Sequence, residues 1–383
     1  MSASDVLFLD AFYPLFKFIL QIPNTIIVNK LGNRKCVILG NLLVSGSILT
    51  IILAKSMPIL IFSQFLSALG FAFKNLTETN LLFDSIEKTP KRNDVFSKLD
   101  GKGSSYYYYI DAITSLTTGY LFVLNGYLPM VICFIMCMFS TFISLKFKDV
   151  LITNNEEKIT IKTSLLDIKD GFKFIFQSNR LKSLITFVSI FNSVLALRSS
   201  LQSSILTDIK LPEQYFGIIY AISQIISGIA SNKQQWFHNR YRNRVLTVFS
   251  LSFTFSMIII GLSQMIGLSF GLSLEVILIM LTIQCAIKGP YYTLEKRYLN
   301  SFSTSSIRTK IYACTDFVQC IIRTGLCFIC SKLLDITTTS YVYVILGCVF
   351  TVIFIFTLDK MKSTVGLKPE EYPEKDIKFA QVK

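Results

Sequence analysis

Six ionisable side chains lie deep inside long apolar runs of this 383-residue sequence: Lys17, Lys74, Glu78, Arg198, Glu275 and Arg323. A charge surrounded by hydrocarbon is costly. Each such residue is therefore a candidate for work that needs charge, namely anchoring a solute, carrying a proton, or neutralising another buried charge. Lys74 and Glu78 are four residues apart, which on a helix sets them on one face and within reach of each other. Either they pair only to make burial tolerable, or the carboxyl takes up and releases a proton beside the lysine. Lys17 has Gln21 one turn later, and structural pairing and function weigh evenly there. Arg198 stands among Ser199, Ser200, Gln202, Ser203 and Ser204, the most polar stretch inside any apolar run. A guanidinium among hydroxyls suits a water-filled cavity. The other reading is a place near the outer interface, from which arginine snorkels. Arg323 follows Asp316 and Gln319 by one to two turns. Glu275 is available to either arginine, and the sequence does not choose between them.

The elements that carry these residues are apolar helices of membrane length. The composition is 52% hydrophobic and 16% charged, with mean hydropathy +0.54. An ordinary soluble domain carries about 25% charged residues. Apolar runs of about 20 residues, the length that crosses a bilayer as a helix, recur throughout. Backbone groups in lipid must be satisfied internally, which helices achieve. No alternating ten-residue pattern suggests a barrel. The expected class is an all-α polytopic membrane protein with about eleven transmembrane helices. The runs centre on residues 5–28, 36–54, 57–83, 104–124, 128–147, 183–207, 215–231, 245–263, 268–287, 309–331 and 339–358.

The net charge of +14 would fit a nucleic-acid binder, but the placement of the charges excludes that reading. Of 38 Lys and Arg, 31 fall on alternate connections, at the run ends that border them and on the C-terminal tail, three (Lys55, Lys210, Lys332) on the other side, and four deep inside the runs. Positive residues stay on the cytoplasmic side, so the C-terminus is expected in the cytoplasm and the first residues outside. The expected organisation is an N-terminal bundle at 1–147, a linker at 148–182, a C-terminal bundle at 183–358 and a cytoplasmic tail at 359–383. Within the linker Leu165, Leu166, Ile168, Phe172, Phe174 and Ile175 recur at helical spacing among charges, which predicts an amphipathic helix at the membrane surface.

Enzyme chemistry finds no footing. The single histidine, His238, lies in a basic stretch expected to be a loop, so no paired-histidine zinc motif exists. No Gly-x-Ser-x-Gly elbow occurs. Gly101-Lys102-Gly103-Ser104 fails as a phosphate loop, because Phe96 stands where its first glycine belongs. Most of the nine cysteines, including Cys327-x-x-Cys330, sit in apolar runs and read as packing residues. No catalytic group, cofactor or metal site is expected. Met1 to Asp5 carries no basic residue of the kind that opens a cleavable signal peptide.

A short basic turn joins the first two runs, Asn29-Lys30-Leu31-Gly32-Asn33-Arg34-Lys35. With Pro23 before it, this turn resembles the signature of the major facilitator superfamily. Gly32, Arg34 and Lys35 match and Lys30 replaces an arginine. Thr25, Asn29 and Asn33 depart from a glycine, an aspartate and an arginine. A second basic turn at 231–244 stands at the equivalent place in the back half, as parallel duplicated halves require. Residues 71–85 and 289–310 resemble a bacterial branch of the same superfamily.

The resemblance implies two helical bundles and a secondary active transporter that moves a small solute by alternating access. Proton-coupled efflux is its commonest role, and the bacterial plasma membrane the expected location. The implied partners are solute, protons and lipid. It also implies a cytoplasmic gate in which Asp84 meets Arg34 or Lys35, with Asp84 as a simple interfacial cap the alternative. Asn29 there loses a charge–dipole term of about 0.3–1 kcal/mol against a facing helix. The superfamily's turn joins its second and third helices, whereas here it follows the first run, so the chain looks like a member lacking its first helix. That feature motivates a rival reading, a decayed copy or a non-transporting scaffold.

Overall fold

The computed structural model describes residues 2–86, 92–147, 161–177, 179–241, 244–301 and 305–361. Helices account for nearly all of them, and no strand occurs among the described residues. In chain order they are α1 (Ala3–Asp10), α2 (Phe12–Leu31), α3 (Asn33–Leu53), α4 (Met57–Asp84), α5 (Arg92–Leu124), α6 (Leu128–Leu145) and α7 (Ile161–Gln177). There follow α8 (Asn179–Asp208), α9 (Gln214–Asn232), α10 (Gln234–Tyr241), α11 (Val245–Met265), α12 (Phe270–Ser301), α13 (Ser305–Ile336) and α14 (Thr339–Met361). Each of the eleven apolar runs falls in one of these helices, the first divided between α1 and α2. Nine helical stretches among the described residues are long and apolar enough to cross a membrane, and the apolar part of α5, Tyr109–Leu124, is shorter.

Local chemistry accounts for the departures from the expected boundaries. The first run breaks at Ala11, because Pro14 has no N–H for the carbonyl of Asp10 and its ring crowds that carbonyl. Gly32 separates α2 from α3 with φ +82° and ψ 160°. That region is open to glycine almost alone, so the turn cannot be made this tightly by another residue. Pro290 does not end α12, which continues eleven residues beyond it to Ser301. The hydroxyl of Ser227 on α9 donates to the carbonyl of Cys285 at 3.0 Å, close to the point where the proline interrupts the ladder. Consequently the connection expected at 288–308 is mostly helix, and the stretch at 231–244 contains α10 where a loop was expected.

The chain divides into two compact units, Phe8–Leu166 and Asp167–Lys383 together with Met1–Leu7. In the first, α3 packs along α4, α2 on α4, and α3 on α6. Gly40 and Gly70 let α3 and α4 approach so closely that a Cβ on either would come within 2.9 Å of the other's carbonyl oxygen. In the second unit α11 packs on α14, α9 on α12, and α8 on both α13 and α14. Its centre is aromatic, with Phe191 edge-on to Phe253, Tyr291 and Phe354 at centroid distances of 5.4, 4.6 and 5.4 Å. The first residues join this unit through Ser4, whose hydroxyl donates to Asp335 Oδ1 at 2.6 Å.

The expected amphipathic helix is α7, and its apolar side is partly turned to protein. Phe172 meets Phe317 of α13 edge-on at 5.9 Å, Ile175 is buried, and Lys310 of α13 lies 3.9 Å from Asp170. Residues 148–160 and 362–383 lie outside the described residues.

Candidate functional site

The N-terminal unit brings together one of the predicted pairs. Lys74 Nζ lies 3.6 Å from Glu78 Oε1 on α4, with the lysine side chain largely covered and that of the glutamate 51% exposed. The lysine also stands 5.9 Å from the centre of the Phe71 ring, a cation–π distance. Glu78 faces a cavity of about 700 Å³ between α3, α4 and α6, whose other walls include Asn41, Leu81, Met136, Phe139 and Ser140. A mostly apolar space with a carboxylate and a few amide and hydroxyl groups is the usual make-up of a small-molecule site. Lys17 is half-buried on α2, as is Gln21 one turn on.

The turn that opens α3 is described in part. Lys30 and Lys35 are exposed, and Arg34 Nη2 donates to the carbonyl of Leu145 at 3.1 Å. Leu145 is the last residue of α6, where carbonyls have no intrahelical partner and the helix dipole favours a cation. Arg34 thus ties the start of α3 to the end of α6. The side chains of Asn29 and Asp84 lie outside the described residues, and with them the expected pairing of Asp84.

Arg198 is buried on α8 within the C-terminal unit. It is 5% exposed, and its Nε donates to Gln284 Oε1 of α12 at 2.7 Å. Gln284 Nε2 in turn donates to Ser256 Oγ of α11 at 2.8 Å, and Arg198 Nη2 approaches Cys285 Sγ at 3.5 Å. Its partners are thus an amide and a thiol. Glu275, offered as a partner, is exposed near the start of α12 and forms no ion pair among the described residues. Arg323 is half-buried on α13, and Asp316 and Gln319 precede it on the same helix.

Two groups carry more of the C-terminal unit's polar interior than the sequence reading assigned to them. Glu295 on α12 is 9% exposed and accepts a hydrogen bond from Asn192 Nδ2 of α8 at 3.1 Å. The same nitrogen lies 3.3 Å from Gln319 Oε1 of α13. His238, expected in a loop, is buried on α10 with its Nδ1 3.0 Å from the hydroxyl of Tyr298. Tyr291, Leu294, Glu295 and Tyr298 form one buried stripe at helical spacing, and that spacing was the available signal.

The model of the major facilitator superfamily matches residues 1–307 of this chain. The chain belongs to the major facilitator superfamily. No individual curated protein matches its sequence. Among solved structures, a D-xylose–proton symporter superposes with a TM-score of 0.74 at 12% identity, covering 96% of this chain and 91% of that one. The nucleoside transporter NupG gives 0.71 at 13% identity, covering 94% and 91%. The inward-open xylose transporter XylE from E. coli gives 0.64 at 12%, covering 97% and 90%. At these identities the likeness is one of fold. This member of the superfamily is an integral membrane protein with the superfamily's two-bundle transporter architecture.

Proposed function

We propose that this protein is a proton-coupled secondary transporter that moves a small amphiphilic solute by alternating access. The family match over residues 1–307 carries the transport reading. Glu78, held by Lys74 at the wall of a 700 Å³ cavity, supports a role for that pair in the solute and ion pathway. The side chains of Met136 and Phe139 suit the apolar part of such a solute, and Asn41 and Ser140 its polar part. Lys17, Arg323 and Glu275 belong to the same proposed pathway set, and the turn from Asn29 to Lys35 with Asp84 to the proposed cytoplasmic gate. Arg198 enters it as a residue that orders the C-terminal bundle through Gln284.

The proposed direction is efflux across a bacterial plasma membrane, with the C-terminus in the cytoplasm. It rests on the resemblance of residues 71–85 and 289–310 to a bacterial branch and on the alternation of Lys and Arg along the chain. The test is reconstitution into liposomes under an imposed pH gradient with sugars, nucleosides and amphiphilic organic ions as probes. Saturable, solute-dependent proton flux is expected with at least one class, and its sign relative to protein orientation gives the direction. Absence of such flux across the whole panel would overturn the reading.

A further inference from the structure

Three carboxyl groups of the transmembrane helices are held in different ways. Glu78 is half exposed and paired with Lys74, and Glu275 is exposed. Glu295 alone of the three is nine-tenths buried, and it forms no ion pair among the described residues. It accepts from the amide of Asn192 on α8, and that amide is held in turn by Gln319 of α13.

The charges that face this group are few. On α12 its sequence neighbour Lys296 is exposed, while Tyr291 and Tyr298 are buried. Near Asn192, α8 offers only the hydroxyls of Ser189 and Ser193, which bond to the backbone. Arg198, further along α8, is engaged by Gln284. From α13, Asp316 and Arg323 stand about one turn to either side of Gln319, both half-buried. From α10, His238 is bonded to Tyr298.

An ionised carboxylate needs donors and a counter-charge, and removing one from water without the latter costs several kcal/mol. Taking up a proton removes that charge without a counter-ion, so a carboxyl buried among neutral amides is favoured in its protonated form. The amide beside it has a fitting spare capacity. Asn192 Nδ2 donates to Glu295, while Asn192 Oδ1 is buried and has no hydrogen-bond partner. An acceptor left over next to a carboxylate is wasted. Next to a carboxylic acid it can receive the O–H.

We propose that Glu295 carries the coupled proton in the C-terminal bundle, with Asn192 and Gln319 as the residues that position it. The inference rests on the proton-coupled reading above and names its titrating group. On loading, a proton passes from water to a Glu295 oxygen and an O–H bond forms. On release that bond breaks, its electron pair stays on the carboxylate, and the proton returns to water on the side to which the bundle has opened.

The proton is itself the probe, so the test needs no identified solute. Acid-minus-alkaline infrared difference spectra are recorded on the full chain reconstituted in lipid. The expected result is a carboxylic C=O band that is lost in Glu295→Gln, retained in Glu78→Gln, and shifted in Asn192→Leu. Glu295→Asp keeps a carboxyl and should keep a displaced band, which separates loss of the group from loss of the fold. A Glu295→Gln spectrum that retains every carboxylic band would overturn the proposal. So would solute-driven proton flux that persists in Glu295→Gln, in which case the transport reading stands without it. A band lost in Glu295→Gln with no flux for any solute in the wild type would sink the transport reading and leave a proton site.

Discussion

Replacing Gln284 by leucine should destabilise the protein more than replacing Gln284 and Arg198 together. Arg198 is buried, and its Nε is satisfied by one amide oxygen at 2.7 Å. A hydrogen bond to a charged group contributes about 1.5–3 kcal/mol, and stranding a buried charged donor costs at least as much. Ser256 loses its donor too but still bonds to the carbonyl of Phe253 at 2.6 Å, so Arg198 dominates the cost. Gln284→Leu should therefore lose about 3 kcal/mol. Arg198→Met alone strands only a neutral amide, at about 1–3 kcal/mol. In the double variant both polar groups are gone and two apolar side chains face each other, so a coupling energy of about 3 kcal/mol, larger than the cost of Arg198→Met alone, should be recovered. Unfolding of the purified protein by denaturing detergent provides the assay. The emission of Trp236, the single tryptophan, reports on the C-terminal unit. A neutral Gln284→Leu, or a double variant equal to the sum of the singles, would refute the buried-network reasoning and return Arg198 to open water.

Three further outcomes follow from the packing. A Cβ at Gly289 would overlap the backbone carbonyl of Ser227, whereas one at Gly228 meets nothing within 4 Å. Gly289→Ala should thus reduce the folded monomer seen by size exclusion while Gly228→Ala does not. Gly32→Ala places a side chain at φ +82°, ψ 160° and should cost about 1–3 kcal/mol in the same unfolding assay, whichever residue follows. Lys74→Met and Glu78→Gln break a part-exposed i,i+4 pair and should change stability by less than about 1 kcal/mol while abolishing solute-driven proton flux.

Much of this molecule was legible in its sequence, and the failures have physical causes. Apolar length and the alternation of Lys and Arg located the helices, because bilayer thickness leaves little freedom. Lys74 and Glu78 were found by spacing within one helix. The partners of Arg198 were not legible, because its serine neighbours suggested water while Gln284 and Cys285 of α12 lie 86 and 87 residues away. Glu295 was missed because Pro290 read as the start of a connection. A proline is tolerated inside a membrane helix where neighbouring helices supply polar groups beside the break, and the hydroxyl of Ser227 bonds the carbonyl of Cys285, one residue before the carbonyl that Pro290 leaves free. His238 went to a loop because a cluster of Arg and Asn around it outweighed the pairing with Tyr298. The gate is the part on which the structure adds least, since the side chains of Asn29 and Asp84 lie outside the described residues. What it adds there is the bond from Arg34 to the end of α6.

The account depends on charged side chains of membrane helices reaching water as the carrier cycles. Single cysteines at positions 17 and 78, in a background without the nine native cysteines, test this with a membrane-impermeant maleimide applied to either side. The account predicts labelling whose sidedness changes when the pH gradient is reversed. Positions that stay closed to aqueous reagent from both sides, under either gradient, would contradict it.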